Sequence, residues 1–198
     1  MKSEQVTTRT RQLYRAFVST RAILASVQAD QLDAPTACAS WDVRALINHF
    51  VGTARWATAT ISTGDEVADE DYVAGNFLAS YDESIRGALA AFETAGALEK
   101  TVKLPFGEFS GAALMGLAAT DQFTHGWDLA RAIGHHTDLD PELAGELLIR
   151  ARAEIPEANR GPDGVALFGP IVEAPAGACP ADRLAAFLGR SMWTREQA

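Results

Sequence analysis

Apolar residues recur at helical spacing in four long segments of this chain, all of them before residue 135. In the first segment, residues 3–28, Leu13, Phe17 and Leu24 fall on one face of a helix. Helix-breaking residues separate the segments, and Gly134 follows the fourth. Because each amphipathic helix needs a partner for its apolar face, the pattern predicts an all-α protein built as a four-helix bundle.

The loop over residues 35–40 leads into the second helix, which Ser40 or Asp42 is expected to cap. This helix is predicted to run to about Thr63. After an acidic, polar loop, the third helix is predicted over residues 72–94.

A short, turn-rich stretch over residues 101–109 precedes the fourth helix and predicts a two-strand hairpin. Ser110 is a suitable cap for the fourth helix, which is expected to extend through Ile133. The bundle is therefore predicted over residues 1–135, with the hairpin as an insertion before its last helix.

Residues 136–198 are predicted to form a small C-terminal extension of the same domain, so that one domain spans residues 1–198. Asp140 and Pro141 are a strong helix start, and the fifth helix is expected to end near Glu154. The next stretch, residues 155–180, contains five prolines and four glycines and is predicted to wrap irregularly around the bundle. A short final helix is predicted over residues 181–189.

The overall charge limits the classes of partner. A formal net charge of −9 argues against nucleic acid and anionic membranes, because no basic stripe is available to contact phosphates. The polar N-terminus is not typical of a signal peptide, and no apolar run approaches the about 20 residues that span a bilayer. A cytoplasmic protein is expected, in which Cys38 and Cys179 are incidental reduced thiols without a CxxC partner.

A carboxylate and an imidazole are expected to share a face of the fourth helix. Asp121 and His125 are four residues apart, which places them about one turn apart on that face. His49 lies in the second helix and would complete a metal site if the two helices face each other. Two histidines and one carboxylate suit Zn, with Ni or Fe(II) as alternatives, and three protein ligands leave one position open.

Other interpretations of these residues remain open from the sequence. Asp121 and His125 could form a simple hydrogen bond within the core. Asp128 could orient the His125 imidazole without being a ligand itself, or it could pair with Arg131 at the surface. Tryptophans 41, 56 and 127 are expected in the core or at the mouth of a pocket. Histidines 135 and 136, which follow Gly134, are weaker ligand candidates and are expected to be exposed.

Four motifs in this order resemble the DinB-like superfamily. Trp41–His49 has the form W-x-V-x-x-L-x-x-H, which resembles the entry to the second helix of these bundles. Asp121–Ala130, DQFTHGWDLA, and the LPFG turn at residues 104–107 resemble the branch with the N-terminal domain of mycothiol-dependent maleylpyruvate isomerase. The closing segment Asp182–Arg190 resembles the tail of metal-binding members of that branch.

The resemblance implies an up-down-down-up bundle with a divalent metal near one end, held by His49, Asp121 and His125. Asp121 stands where the isomerase-like pattern has Glu and where classical DinB-like proteins have His. The isomerase also has a sizeable C-terminal domain, whereas about sixty residues follow the bundle here. Maleylpyruvate isomerisation itself is therefore not the expected activity.

Three functions remain open. The first is a thiol transferase, in which a low-molecular-weight thiol such as mycothiol takes the open position and attacks a small electrophile. The second is a non-enzymatic module that binds a metal or small ligand, or that forms a homodimer through an apolar helix face. The third is metal-assisted hydrolysis.

Overall fold

The computed structural model describes residues 2–38, 40–105, 107–162 and 165–191, with side chains from residue 8 onward. Four long helices and two shorter ones account for most of this part of the chain. Their bounds are α1 Lys2–Leu24, α2 Val43–Ser62, α3 Phe77–Glu93, α4 Gly111–Ala132, α5 Pro141–Glu154 and α6 Pro180–Phe187. The prediction of an all-α bundle is confirmed. None of the described helices combines the length and apolar content needed to cross a membrane.

Helices α1 and α4 run parallel. Thr10 near the start of α1 contacts Met115 near the start of α4, with 3.9 Å between Oγ1 and the sulfur. Ten residues later in α1, Thr20 Oγ1 donates to the carbonyl oxygen of Gln122 at 2.7 Å. A Cβ on Gly126 would lie only 2.4 Å from Thr20 Oγ1, so this close approach of the two helices depends on glycine.

Helix α2 runs antiparallel to α4 and parallel to α3. Thr53 in the middle of α2 accepts from Gln122 in α4 at 2.9 Å, whereas Ile61 at the end of α2 packs on Gly111 at the start of α4. Within the α2–α3 pair, Arg55 lies 3.9 Å from Glu83, and Thr58 one turn later packs beside Gly87. The four directions are thus up, down, down and up.

The core between the four helices is filled by large apolar side chains. The ring of Tyr81 packs edge-on against Phe17, with centroids 6.1 Å apart, and at a tilt against Phe50, with centroids 5.9 Å apart. The largest fully buried side chains belong to aromatic residues on all four helices: Phe17, Phe50, Tyr81, Phe123 and Trp127. This burial supplies the main driving force for the bundle.

Helix starts follow local side-chain chemistry. Of the two candidate caps for α2, Asp42 is the one that caps, and its carboxylate accepts from Ala45 N at 2.8 Å. The predicted start of the third helix near Tyr72 is wrong, because Tyr72–Ala74 form a separate 3-10 turn. Asn76 caps α3 by accepting from Ala79 N at 3.0 Å, which delays the helix start to Phe77.

The predicted hairpin is present as β1, Thr101–Leu104, paired antiparallel with β2, Gly107–Ser110. Phe106 of its turn lies outside the described residues. Ser110 ends the hairpin and caps α4 as predicted, with its hydroxyl accepting from Ala113 N at 3.2 Å.

Residues 155–179, here called the strap, join α5 to α6 and contain one 3-10 turn, Glu157–Asn159, as their only regular element among the residues described there. Arg160 donates to the carbonyl oxygens of Gly169 and Phe187 at 3.0 and 2.8 Å, which ties the strap to α6. A Cβ on Gly189 would lie 2.5 Å from the Cα of Gly169, so the strap and the end of α6 meet backbone to backbone. Residues 192–198 lie outside the described residues.

Candidate metal centre

The structure brings His49, Asp121 and His125 together between α2 and α4. His49 Nε2 lies 3.2 Å from Asp121 Oδ1, and His125 Nε2 lies 3.6 Å from the same oxygen. One donor atom from each side chain falls within 4.8 Å of the other two. The one-turn spacing on α4 and the antiparallel packing of α2 together produce this arrangement.

Gln122 sets the register that places His49 opposite Asp121. Its side-chain amide donates to the carbonyl oxygen of Phe50 at 3.2 Å and to Thr53 Oγ1 at 2.9 Å. Its amide oxygen accepts from the hydroxyl of Tyr81 at 2.6 Å. Because an unmade bond in a buried network costs about 1–3 kcal/mol, sliding α2 along α4 by one residue is strongly disfavoured.

The described residues around Asp121 use only part of its hydrogen-bonding capacity. Asp121 Oδ2 is buried and has no hydrogen-bond partner within the described part of the chain. Burial raises the pKa of this carboxyl, but the charge and hydrogen bond of His49, followed by the charge of His125, outweigh it and keep the pKa below its ordinary value. The group is therefore an ionised carboxylate with unused acceptor capacity.

Asp128 orients His125 from the side away from Asp121. Its Oδ2 lies 2.9 Å from His125 Nδ1, which leaves Nε2 directed towards His49 and Asp121. Arg190 donates to both oxygens of Asp128, at 3.3 and 3.1 Å. Burial alone would raise the pKa of Asp128, but the Arg190 guanidinium and His125 hold it well below its usual range. The alternative of a surface pair with Arg131 is wrong, because Asp128 is fully buried and is held by Arg190.

Trp41 covers the two histidines. Its ring lies 4.5 Å from the His49 ring and 5.2 Å from the His125 ring, measured between centroids. The two imidazoles are themselves edge to face at 4.6 Å. Since each ring is fixed by its neighbours, the nitrogen positions are determined before any ligand arrives.

Cys38 belongs to a second group of donors that shares His125. Cys38 Sγ lies 3.8 Å from His125 Nδ1 and 3.4 Å from Asp128 Oδ2. A cation held there would face the Arg190 guanidinium, which lies 3.8 Å from the sulfur and already neutralises Asp128. Arg190 also lines the space beside His49, Asp121 and His125, but its hydrogen bonds go to Asp128, Leu188 and Cys38. The group of His49, Asp121 and His125 is therefore the better metal site.

Two cavities meet at these three residues. One, here called the apolar cavity, has a volume of about 350 Å³, and the other, the strap cavity, about 520 Å³. The two cavities have six lining side chains in common: His49, Asp121, His125, Leu167, Leu188 and Arg190. The strap therefore closes one side of the site.

Neither Cys38 nor Arg190 is predicted for this site from the sequence. Arg190 stands in the closing motif that resembles the tail of metal-binding relatives, and this motif is the only sequence feature that points to a role for Arg190 in the site. Histidines 135 and 136 pack against each other, with ring centroids 4.3 Å apart, and belong to neither donor group of the described residues. Cys179 caps α6, accepting from Asp182 N at 3.4 Å.

Fold and site together define an all-α bundle with a His-Asp-His cluster between its second and fourth helices. The chain belongs to the mycothiol maleylpyruvate isomerase N-terminal domain family, which matches residues 13–130. All three residues of the cluster fall within the matched region, whereas Arg190 and the strap lie beyond it.

Two curated relatives extend the similarity past the family domain. The chain is 42% identical over 182 residues to uncharacterized proteins from two strains of Mycobacterium tuberculosis, CDC 1551 / Oshkosh and ATCC 25618. The alignment covers 90% of this chain and 95% of each relative. No solved structure matches the chain.

Proposed function

We propose that this protein binds one divalent metal ion through His49, Asp121 and His125 and uses it to transfer a low-molecular-weight thiol to a small electrophile. The observation that carries the proposal is the meeting of three donor atoms within 4.8 Å at the junction of two cavities. A junction of this kind gives two reactants access to one position.

The residues present fit a metal ion. Two imidazole nitrogens and a carboxylate are borderline donors that suit Zn, Ni or Fe(II), with Zn the expected metal. Asp121 Oδ2, which has no hydrogen-bond partner among the described residues, would gain one in the metal ion. Because only three side chains converge, a fourth position stays open, as is typical of catalytic rather than structural zinc.

The surrounding side chains prepare the donors. Asp128 accepts from His125 Nδ1, which fixes the imidazole tautomer so that Nε2 carries the free lone pair. The Trp41 ring packs at a tilt against both imidazoles and limits their rotation. Metal binding would therefore require little rearrangement of the protein.

The family name supports a thiol as the first reactant. Mycothiol appears in the name of the family to which this chain belongs, and a mycothiol-type compound is the proposed thiol. A bound divalent cation would lower the pKa of a coordinating thiol, which favours the nucleophilic thiolate. The thiol releases its proton to solvent, its sulfur forms a bond to the electrophilic carbon, and the leaving group departs with the bonding electron pair.

Elemental analysis of the purified protein is the decisive test of the metal. About one equivalent in the wild type, lost in His49→Ala and in His125→Ala, is the expected result. His136→Ala is the matched control and should keep its metal, because His136 is exposed and contacts His135. If the wild type neither contains nor binds a metal, the proposed centre is wrong.

Thiol consumption tests the reaction. The metal-loaded protein is incubated with mycothiol and a panel of electrophiles, and the S-alkylated product is measured by mass spectrometry. Product formation that stops on chelation supports the transferase. A metal-loaded protein that gives no turnover would instead indicate a binding module, and hydrolysis of an ester without thiol would indicate a metal-assisted hydrolase.

A further inference from the structure

The apolar cavity has walls from three helices and the strap. Phe17 of α1, Trp56 of α2, Leu117 of α4 and Phe168 of the strap all line it. Its volume of about 350 Å³ lies at the lower end of the range for small-molecule sites. Apolar walls of this kind favour apolar ligands, since each ligand CH₂ removed from water contributes about 0.8 kcal/mol.

The cationic side chain in the wall of this cavity is already paired. Of the described residues that line it, Arg190 is the only lysine or arginine. Its guanidinium donates to both oxygens of Asp128 and to the carbonyl oxygen of Leu188, so its charge is neutralised inside the protein. The only carboxylate in the described lining is Asp121, which would repel an anion.

An anionic substrate would therefore lose its hydration without gaining a counterion from the cavity walls. The cost of burying an unpaired carboxylate is several kcal/mol. A proposed metal ion at His49, Asp121 and His125 supplies one positive centre, and the thiol occupies its open position.

We infer that the electrophile taken by the apolar cavity is an uncharged, compact aryl or alkyl compound and not a carboxylic acid. This inference rests on the proposed function for the identity of the reaction, and it sets the substrate class apart from the dicarboxylate in the family's name. The strap cavity, which reaches the same three donor residues from the side of Cys38 and Trp41, is left for the thiol.

Binding of two unreactive probes that differ by one carboxylate tests the inference without any turnover. Benzyl alcohol and 4-(hydroxymethyl)benzoate are titrated into the full-length metal-loaded protein, and dissociation constants are measured by NMR. The neutral probe should bind at least about tenfold more tightly, which corresponds to about 1.4 kcal/mol.

Two variants locate the binding. Ala118→Phe places a large ring at the cavity wall and should abolish binding of the neutral probe while the metal content stays unchanged. Leu117→Arg adds an unpaired cation to the wall and should shift the preference towards the carboxylate. Ile149→Arg makes the same kind of change on α5, where the side chain is 74% exposed and outside the cavity, and should alter neither affinity.

Three results would overturn the inference: equal affinity for the two probes, no binding of the neutral probe, or binding that survives Ala118→Phe. The reactive pair benzyl chloride and 4-(chloromethyl)benzoic acid then links binding to chemistry, because thiol attack on either displaces chloride. If the neutral probe binds preferentially but neither chloromethyl compound reacts, the proposed transferase function fails while the assignment of the apolar cavity stands.

Discussion

His125 Nδ1 lies 2.9 Å from Asp128 Oδ2, and Arg190 holds that same oxygen from the other side at 3.1 Å. The carboxylate thus connects a bundle histidine to the C-terminal segment, and it is fully buried. Its charge serves two purposes, since it balances a buried guanidinium and aligns an imidazole. Substitution at this position should affect stability and metal affinity separately.

Asp128→Asn should destabilise the protein by about 3–5 kcal/mol, because Arg190 would be left as a buried charge without a counterion. The double variant with Arg190→Gln should recover about 0.5–3 kcal/mol relative to the sum of the two single changes. Urea denaturation of the four proteins measures this coupling. Strictly additive effects would mean that the two side chains do not stabilise each other.

The same Asp128→Asn change should weaken metal binding about 10–100-fold, because His125 loses the carboxylate that aligns it. Adding Arg190→Gln should leave the affinity low, since the lost partner of His125 is not replaced. Competition with a chromophoric chelator gives both constants. Full recovery of affinity in the double variant would contradict a direct role of Asp128 towards His125.

Metal binding should raise thermal stability. A free metal concentration of 100 times the dissociation constant adds about 2.7 kcal/mol to the folded state, which corresponds to about 5–10 °C in Tm for a domain of this size. Differential scanning calorimetry before and after chelation should show this shift in the wild type and in His136→Ala. His49→Ala should show a much smaller shift, and an undiminished one would remove His49 from the site.

Gly126→Ala should lower stability by up to about 2 kcal/mol. The new methyl would lie 2.4 Å from Thr20 Oγ1, and overpacking of this kind costs about 1–3 kcal/mol, against a gain of about 1 kcal/mol in helix propensity. Gly145→Ala on α5 is the matched control, because nothing lies within 4 Å of the position that its Cβ would take, and it should stabilise by about 0.5–1 kcal/mol. Thermal unfolding of both variants decides whether α1 and α4 pack as closely as described.

Thr120 and Thr124 are buried one turn apart on α4, yet replacing each by Val should change the free energy of unfolding differently. Thr120 Oγ1 donates to the carbonyl oxygen of Gly116 and accepts from Arg150, so Thr120→Val should cost about 1–3 kcal/mol. Thr124 Oγ1 has no hydrogen-bond partner among the described residues, so Thr124→Val should be neutral or stabilising. Chemical denaturation of the pair checks this, and an equal loss for both would show that Thr124 has a partner, such as an ordered water.

The bundle could be predicted from the sequence because its signals are local. Helical periodicity, the cap at Ser110 and the four-residue spacing of Asp121 and His125 each depend on a few consecutive residues. The predicted start of α3 is too early because Asn76 caps the helix a few residues inside what reads as one continuous helical segment.

The site was only partly predictable, because its remaining contacts join distant parts of the chain. No periodicity indicates that His49 faces Asp121 across 72 residues, and that expectation depends on the family resemblance. Cys38 and Arg190 are separated from Asp128 by 90 and 62 residues, and only the path of the strap brings Arg190 there. Contacts of this kind require the tertiary fold.

The strap and α6 lie outside the stretch that matches the family, yet Leu167, Phe168 and Leu188 form part of the cavity that faces the three donor residues. The three donor side chains thus come from the family domain, whereas one part of the cavity wall beside them comes from the C-terminal segment. Substitutions in the strap would reshape that part of the cavity wall and leave the three donor side chains unchanged. Chains that share this bundle can thus differ in the shape of the cavity while they keep the same donor residues.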